Sequence, residues 1–355
     1  VFNKEISAAE VTTLYNENPL VASYRFEGNA NDDMRTFDGT ANNVTYEYGL
    51  NFTPDLVWMK ARSASEENKI IDSSRTAGCL IYTDLTNGND CADSHAVIET
   101  GGFNVKGNPN VDGREYVAWA WKANGGTTSS NTDGDITSTV QANQDAGFSI
   151  VKYTTTINSR VGHGLSQAPQ IVLQKTLSSA NSFFFGNNLV SGTSDWEYME
   201  MANTNAQTTS WTYWDGAEAP NATTFKDGWP NNTEMIAYCF HSVEGFSKFG
   251  SYTGNAGTLI VETGFEPAFL MIKRTDAATY DWYILDNKRN PKNYRNTLLR
   301  ANANTADQTV TNGDVDVNFL SNGFSFDNMT SSAGFNASGG TYIYMAFAAD
   351  PDTEA

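Results

Sequence analysis

Two short sequence patterns occur three times along the chain, and this repetition constrains the fold more than any other feature. The first is a proline followed by an apolar run that ends in lysine, at residues 54–60, 169–175 and 267–273. The second is an aromatic run with small residues, at 116–121, 236–240 and 342–347. Two patterns in a fixed order at similar spacing are typical of tandem homologous units. We therefore predict three copies of one β module.

Both patterns favour strands at the centre of a sheet, because their residues are apolar on both faces. Short strands at close spacing, without helices between them, indicate antiparallel sandwiches. We therefore expect an all-β fold of tandem antiparallel β-sandwich modules that resemble jelly rolls. One short helix is predicted near the N-terminus, where Ser7 and Glu10 form a capping box ahead of Val11 and Leu14.

The repeats also predict the domain boundaries. Residues 49–126 form the first module, 147–244 the second and 245–350 the third, with an acidic tail at 351–355. Gly-Phe opens the second module at Gly147 and the third at Gly245, so the joint after residue 240 links one closing strand to the next opening strand. The stretch 127–146 is rich in Gly, Ser, Thr and Asp, which favours a linker or an exposed loop.

The charge of the chain excludes some partners. The formal net charge is −19 and the pI is about 4.4. Such a surface repels phosphate backbones and anionic lipid. We predict no nucleic-acid partner and no membrane association, and no apolar run reaches the length that spans a bilayer.

The three cysteines do not form a metal motif, because none of them lies in a Cys-x-x-Cys pair. Cys239 alternates with apolar residues in a predicted strand and is expected in a core. Cys79 and Cys91 are close enough in sequence to form a disulfide, but the sequence does not decide whether they do.

A search for catalytic residues finds none that we would assign, so we predict a protein that is not an enzyme. Glycan hydrolysis needs two facing carboxylates, and the nearest arrangement is the acidic strand 195–200, whose order departs from the hydrolase pattern of concanavalin-like folds. His95, His163 and His241 lie far apart and outside any catalytic motif. We interpret them as surface or turn histidines.

Asp- and Asn-rich loops at 29–33, 131–135 and 312–316 offer hard oxygen ligands, but none completes a calcium-binding loop. We expect ordinary turns and no cofactor, with calcium as the alternative. For glycan contact the candidates are Trp211, Tyr213, Trp214 and Asp215, because aromatic faces stack on sugars and a carboxylate binds hydroxyls. The alternative is that these aromatic residues belong to the core of the second module.

Residues 1–16 resemble the last strand and closing helix of laminin-G-like (concanavalin A-like) domains, and residues 20–32 resemble the first strand of such a domain. We therefore interpret 1–48 as a laminin-G-like remnant. Because Val1-Phe2 begins inside a predicted strand, we expect a fragment or processed product of a larger protein.

The repeat region, from about 49 to 349, resembles virion proteins of marine and cyanobacterial tailed phages, most clearly at 52–60, 236–255 and 339–347. The resemblance implies a non-enzymatic structural protein of the virion, in a tail fibre or another surface appendage that contacts the host. It implies other virion proteins as partners and a homo-oligomer, by analogy a trimer. The alternatives are a lectin-like module that binds host-surface glycans and a capsid decoration protein.

Overall fold

The computed structural model describes residues 50, 52–91, 95–105, 108–191, 196–209, 218–311, 315–327, 329 and 334–349. Residues from Phe52 onward form one compact unit. The predicted N-terminal helix, the laminin-G-like remnant at 1–48 and the tail at 351–355 lie outside the described residues. Within them the fold is all-β, as predicted, and consists of antiparallel sheets packed as sandwiches. Among these residues no helix is long and apolar enough to cross a membrane.

Sheet 1 is built from the first repeat and has four strands in the order β3-β2-β1-β6. The first repeat contributes β1 (Leu56–Ala61), β2 (Lys69–Asp72), β3 (Ile81–Tyr82), β4 (Ala96–Glu99), β5 (Gly102–Val105), a 3₁₀ helix (Asn108–Asn110) and β6 (Tyr116–Trp121). Strands β4 and β5 form a separate hairpin that covers one face of sheet 1.

Sheet 2 has eight strands in the order β14-β13-β12-β11-β16-β9-β8-β7, and β10 and β15 form a small second sheet. These strands are β7 (Ser129–Asn131), β8 (Ser138–Asn143), β9 (Phe148–Thr154), β10 (Ser159–Gly162), β11 (Ile171–Thr176), β12 (Phe184–Asn187), β13 (Glu197–Glu200), β14 (Thr208–Thr209), β15 (Thr224–Asp227) and β16 (Glu234–Phe240).

Sheet 3 has six strands in the order β17-β25-β19-β20-β21-β22, and β18, β24 and β23 form its covering sheet. These strands are β17 (Ser247–Thr253), β18 (Leu259–Glu262), β19 (Pro267–Arg274), β20 (Tyr283–Asp286), β21 (Thr297–Arg300), β22 (Gln308–Thr309), β23 (Val317–Leu320), β24 (Gly323–Phe326) and β25 (Thr341–Ala348).

The two repeated patterns occupy equivalent places in the three sheets. In each sheet the strand that contains the repeated lysine pairs antiparallel with the aromatic strand. The register is also the same, and it pairs Trp58 with Trp119, Leu173 with Tyr238, and Met271 with Met345. Each of the three sheets therefore contains one copy of the same central strand pair.

Alternation along these strands divides their side chains between two kinds of core. Leu56, Ile171 and Phe269 begin the inward rows, which meet in a single cluster that draws side chains from all three sheets; we call it the shared core. Their neighbours Val57, Val172 and Leu270 point the other way, each into a core private to its own repeat. Each repeat is thus a sandwich with a covering sheet, and the three sandwiches pack back to back.

The lysines that end the three apolar strands are buried and link the repeats in a ring. Each Nζ donates to a carbonyl of its own repeat and to one of another repeat. The latter bonds run from Lys60 to Asn304 of the third repeat, from Lys175 to Leu85 of the first, and from Lys273 to Thr204 of the second (3.0, 3.3 and 3.4 Å). Burial lowers the pKa of each of these lysines to about 8.

The stretch 127–146 is not a linker, contrary to the sequence interpretation. It forms β7 and β8, and β8 pairs along β9 with Val140 opposite Val151. Its polar residues hide an alternation in which Ser138 and Val140 are buried and Thr139 is exposed. The other predicted module boundaries are not tested by the fold and stay predictions.

The joint between the second and third repeats connects the strands that the sequence predicted. Strand β16 ends at Phe240 and β17 begins at Ser247. Between them a tight turn forms in which the Ser247 N–H donates to the Val243 carbonyl at 2.9 Å. Gly245 has a φ of +74°, a conformation that glycine adopts without strain.

Candidate functional site

A cavity of about 310 Å³ lies in the first repeat. Its walls come from the turn after β2, from the hairpin β4–β5 and from the start of the chain segment that follows β6; they are formed by residues 53, 55, 71–73, 75–79, 96–100 and 125–126. Two buried carboxylates, Asp55 and Asp72, contribute to its floor. We therefore treat this cavity as the candidate site.

Asp55 ties three separate segments together beneath the cavity. Its carboxylate accepts hydrogen bonds from the backbone N–H groups of Ala123, Gly125 and Gly126 and from the hydroxyl of Ser73, at 2.5–2.9 Å. Both oxygens are thus used by the fold. A carboxylate held by so many donors anchors the loop after β6 rather than acting as a free base.

Asp72 forms the second buried network, in a turn closed by Arg75. One carboxylate oxygen accepts the backbone N–H groups of Ser74 and Arg75, and the other accepts the Arg75 Nε at 2.6 Å and the hydroxyl of Tyr238 at 2.6 Å. Burial alone would lower the pKa of Arg75, but the Asp72 carboxylate outweighs it and the pKa is raised. Burial raises the pKa of Tyr238 well above its usual value.

The same turn occurs at the corresponding place of the third repeat. Asp286 accepts the Arg289 Nε at 2.6 Å and the backbone N–H of Arg289 at 2.8 Å. In the second repeat Asn187 takes this position and caps the Leu189 N–H. The turn of the third repeat does not line this cavity. The turn is therefore a structural element of the repeat and not a feature specific to the cavity.

The cavity has the volume of a small ligand site, and the charged groups of its floor take part in hydrogen bonds of the fold. The guanidinium of Arg75 donates to Asp72, to Asn89 Oδ1 and to the carbonyl of Ile70. Glu99 at the rim is exposed to solvent. The Ser73 hydroxyl donates to Asp55 at 2.5 Å, but the same carboxylate also accepts three backbone N–H groups, which stabilise its charged form and make it a weak base.

The histidines were interpreted as surface or turn residues, and a surface position is wrong for two of them. His163 and His241 directly follow β10 and β16, and both are buried. His163 is fully buried: its Nδ1 accepts the Leu165 N–H at 3.1 Å, and its Nε2 lies 3.1 Å from the Asn221 carbonyl. Burial lowers the pKa of His163 to about 4, so the ring is neutral and structural. His241 is 4% exposed, beneath Gly147.

The acidic strand is β13, as predicted, and Asp195 lies outside the described residues. Glu197 and Glu200 accept hydrogen bonds from the side-chain amides of Gln207 and Asn203 respectively. Met199 between them is buried in the shared core. The face of β13 that carries Glu197 and Met199 is therefore partly packed against the core.

Only some of the loops considered for calcium lie within the described residues. In the loop 131–135, Asn131 caps the Asp133 N–H and Asp135 accepts the Arg160 N–H, which is the behaviour of turn residues. The loop at 29–33 and residues 312–314 lie outside the described residues. In the part of the chain that the structure describes, no group of three or more His, Cys, Asp or Glu side chains could hold a metal ion.

The glycan candidates Trp211, Tyr213, Trp214 and Asp215 also lie outside the described residues, so they stay predictions. The cysteines are placed clearly. Cys79 and Cys91 form a disulfide beside the cavity, which settles the pairing that the sequence left open. Cys239 is a free, buried thiol, as expected.

Sequence reasoning missed the Asp-x-x-Arg turn, although a signal for it exists. The segments 70–75 (IIDSSR) and 284–289 (ILDNKR) align without a gap. An alignment of the repeats beyond their first strands would have found both buried pairs. The shared core has no such local signal, because it depends on which faces of distant strands meet.

No curated protein and no solved structure shows significant similarity to the chain. One family model matches, and it covers residues 30–351, which includes all three repeats. The chain therefore belongs to the family defined by DUF7483, a domain of unknown function.

Proposed function

We propose that this chain is a non-enzymatic structural protein of a tailed-phage virion, where it forms part of a fibre or surface appendage that contacts the host. The phage assignment is supported by the sequence resemblance of the repeats. The structural role is supported above all by one observation, the shared core closed by the ring of Lys60, Lys175 and Lys273.

This packing favours a rigid protein over one whose repeats move relative to each other. Separate domains on flexible linkers move relative to one another by default. Here each sheet buries its inner face against the other two, so a hinge between repeats would expose apolar surface from all three. Burial of apolar surface is worth roughly 25 cal/mol per Å², which makes such an opening costly.

The disulfide supports a location outside the cell. Disulfides persist in oxidising environments such as virion and cell surfaces and are rare in the cytosol. Cys91 is exposed, so a cellular reductant would reach the Cys79–Cys91 bond. The net charge of −19 also suits a soluble particle surface that does not bind nucleic acid.

The proposed partners are other virion proteins and further copies of this chain. A trimer is the arrangement expected by analogy with long fibres, which usually have closed symmetry. Light scattering on the purified chain tests this, since one copy has a mass of 38.8 kDa.

The decisive experiment is the location of the protein. Antibodies raised against residues 52–349 should decorate purified phage particles in negative-stain electron microscopy, at the tail or at a capsid appendage. Regular labelling of the whole capsid face would favour the decoration alternative instead. If particles carry no label while the free protein is abundant in the infected cell, the virion role is wrong.

A further inference from the structure

The loop 287–296 in the third repeat is basic, although the chain as a whole is strongly acidic. It contains Lys288, Arg289, Lys292 and Arg295 and no acidic residue. Of these, Lys288 and Lys292 are exposed, and neither has an ion-pair partner among the described residues. The loop is therefore a locally basic part of the surface of an acidic chain.

Tyr294 at the tip of this loop is 50% exposed, one of four large apolar or aromatic side chains with such exposure in the described chain. The residues on either side of it are tied inward. Asn293 pairs with both backbone groups of Phe319, at 2.9 and 3.0 Å. Arg295 is 4% exposed, and its backbone N–H donates to the Val317 carbonyl at 2.7 Å.

The loop is held in this shape by further contacts. The amide of Asn290 donates to the Tyr294 carbonyl at 3.2 Å and to Asn296 at 3.0 Å, and the guanidinium of Arg295 stacks 4.8 Å from the ring centre of Phe319. Arg295 is buried and Asn293 is held by its two hydrogen bonds to Phe319, and between them the Tyr294 ring is left exposed. The ring is therefore presented by a fixed loop, and little ordering is lost when something binds to it.

We infer that this loop, with Tyr294, Lys288 and Lys292, is a contact site for a glycan that carries an anionic group such as a carboxylate or a phosphate. The exposed ring offers a flat apolar face to the C–H face of a sugar, and the lysines pair with its anion. A specific protein interface needs about 1,000 Å² of buried area or more, and Tyr294 is the only exposed large apolar or aromatic side chain among the described residues of this loop.

The net charge of the chain further restricts which anionic ligands can bind. A long polyanion, including nucleic acid, would be repelled by a chain of charge −19. At physiological salt such a field is screened beyond about 8 Å, so one anionic group on an otherwise neutral saccharide is attracted locally without this penalty. The biological meaning of the site rests on the proposed host contact, but binding itself is a property of the purified chain.

The test uses the full chain with two probes that each carry a single anionic group, galacturonic acid for the carboxylate and mannose 6-phosphate for the phosphate, with galactose and mannose as the neutral controls. Ligand-detected NMR and calorimetry should show millimolar binding of at least one charged probe, weakened by salt, and weaker or no binding of its neutral counterpart.

Four variants separate this site from a general surface effect. Tyr294→Ala should weaken binding about fivefold to tenfold, whereas Tyr294→Phe keeps the ring and should retain it. The double variant Lys288→Ala/Lys292→Ala should abolish the difference between charged and neutral probes. Lys248→Ala, at an exposed lysine on β17, should have no effect.

The inference is overturned if neither charged probe binds, if neutral and charged probes bind alike, or if Tyr294→Ala binds as the wild type does. Light scattering gives a further contradictory outcome: loss of self-association in the double lysine variant, without glycan binding, would make the loop a contact between copies. The result stays distinguishable from failure of the virion proposal, because particle labelling does not depend on this loop.

Discussion

The first and third repeats share a central strand pair, a buried lysine and an Asp-x-x-Arg turn, but they differ in how much core is their own. Among the described residues, the private core of the first repeat has six buried side chains and that of the third has sixteen. In sheet 3 the aromatic strand β25 lies between β19 and β17, whereas within the described residues β6 pairs only with β1. The first repeat thus depends more on its neighbours.

Repeats that share one sequence pattern can therefore differ in how far each is stable on its own. The third repeat can satisfy most of its apolar residues within its own sandwich. The first repeat instead uses the Cys79–Cys91 disulfide and the contacts of Asp72 with Tyr238, a residue of the second repeat. The stability of the first repeat therefore depends in part on its contacts with the other repeats.

The strongest way to break this comparison is to separate the repeats. Residues 52–126 expressed alone should show no cooperative unfolding, because the inner face of sheet 1 would be exposed and the small private core cannot compensate. Residues 245–349 should keep a cooperative but weakened transition, measured by circular dichroism in urea. Similar cooperative transitions for both fragments would show that the repeats are equally autonomous.

The next largest effect is expected at the buried turn carboxylates. Asp72→Ala strands a buried Arg75 and also removes the acceptor of Tyr238, so it should lower the free energy of unfolding by about 3–5 kcal/mol. Asp286→Ala removes one of two acidic partners of Arg289, which keeps its ion pair with Asp307 at 3.0 Å, and its cost should lie at or below the low end of that range. Denaturant titration measures both.

The matched control for these two variants is Asp276→Ala, which removes the partly exposed ion pair with Arg274. Exposed pairs contribute about 0–1 kcal/mol. If Asp286→Ala costs clearly more than Asp72→Ala, the turn of the first repeat is not the one that depends on a neighbour.

Removal of the disulfide should affect the first repeat and leave the third unchanged. Cys79→Ser/Cys91→Ser frees a short loop of the unfolded chain, and cross-links of this loop length are worth about 3 kcal/mol in the entropic account. Hydrogen exchange should rise in 80–90, where Leu85 accepts the Lys175 bond. Equal loss of protection in 284–300 would indicate global rather than local loosening.

The smallest predicted effect is a pH dependence from the three buried lysines. Their pKa in the folded chain is about 8, against about 10.5 when unfolded, so between these values the unfolded state binds more protons and stability rises with pH. Asp227, with a folded pKa of about 8, contributes the opposite trend below that pH. Between pH 8.5 and 9.5 the buried Cys239 thiol contributes an opposite trend, because burial raises its pKa above the usual value. The lysine contribution is therefore measured as the difference between the wild type and the lysine variants.

We expect a gain of about 1 kcal/mol per lysine across that range, measured by urea titration at each pH. Lys273→Met should lower the change in the free energy of unfolding across this range by about 1 kcal/mol, and so should Lys60→Met, because burial lowers the pKa of both lysines to about 8. A slope that is unchanged in both variants would mean that these lysines stay charged or reach water.

The central strands could be predicted from the sequence because they are apolar on both faces, and the same holds for the joint at Gly245. The stretch containing β7 and β8 was misread, because polar residues such as Ser138 can be buried when they pair with another segment. The burial of the histidines was not predicted for a related reason. Their polarity suggests exposure, but a buried ring can pair with backbone groups, as His163 does.

The cavity and the ring of contacts could not be predicted, because both depend on distant segments. Nothing local to Lys60 indicates that its partner is Asn304, and lysine is rarely fully buried. The recurrence of a lysine at the end of all three strands was visible, but its meaning needed the relative placement of the three sheets. The basic loop at 287–296 was visible as well, although its outward tyrosine depends on Asn293 and Arg295.

The direction of the lysine bonds limits how this family can change in length. Stacked repeat proteins have open ends, so a unit can be gained or lost there with the remaining interfaces intact. In this chain each unit both gives a bond to one neighbour and receives one from the other, and the third closes back on the first. A duplication or deletion of one unit would leave a buried ammonium or carbonyl without its counterpart, so selection should hold the copy number at three while the surface loops diverge.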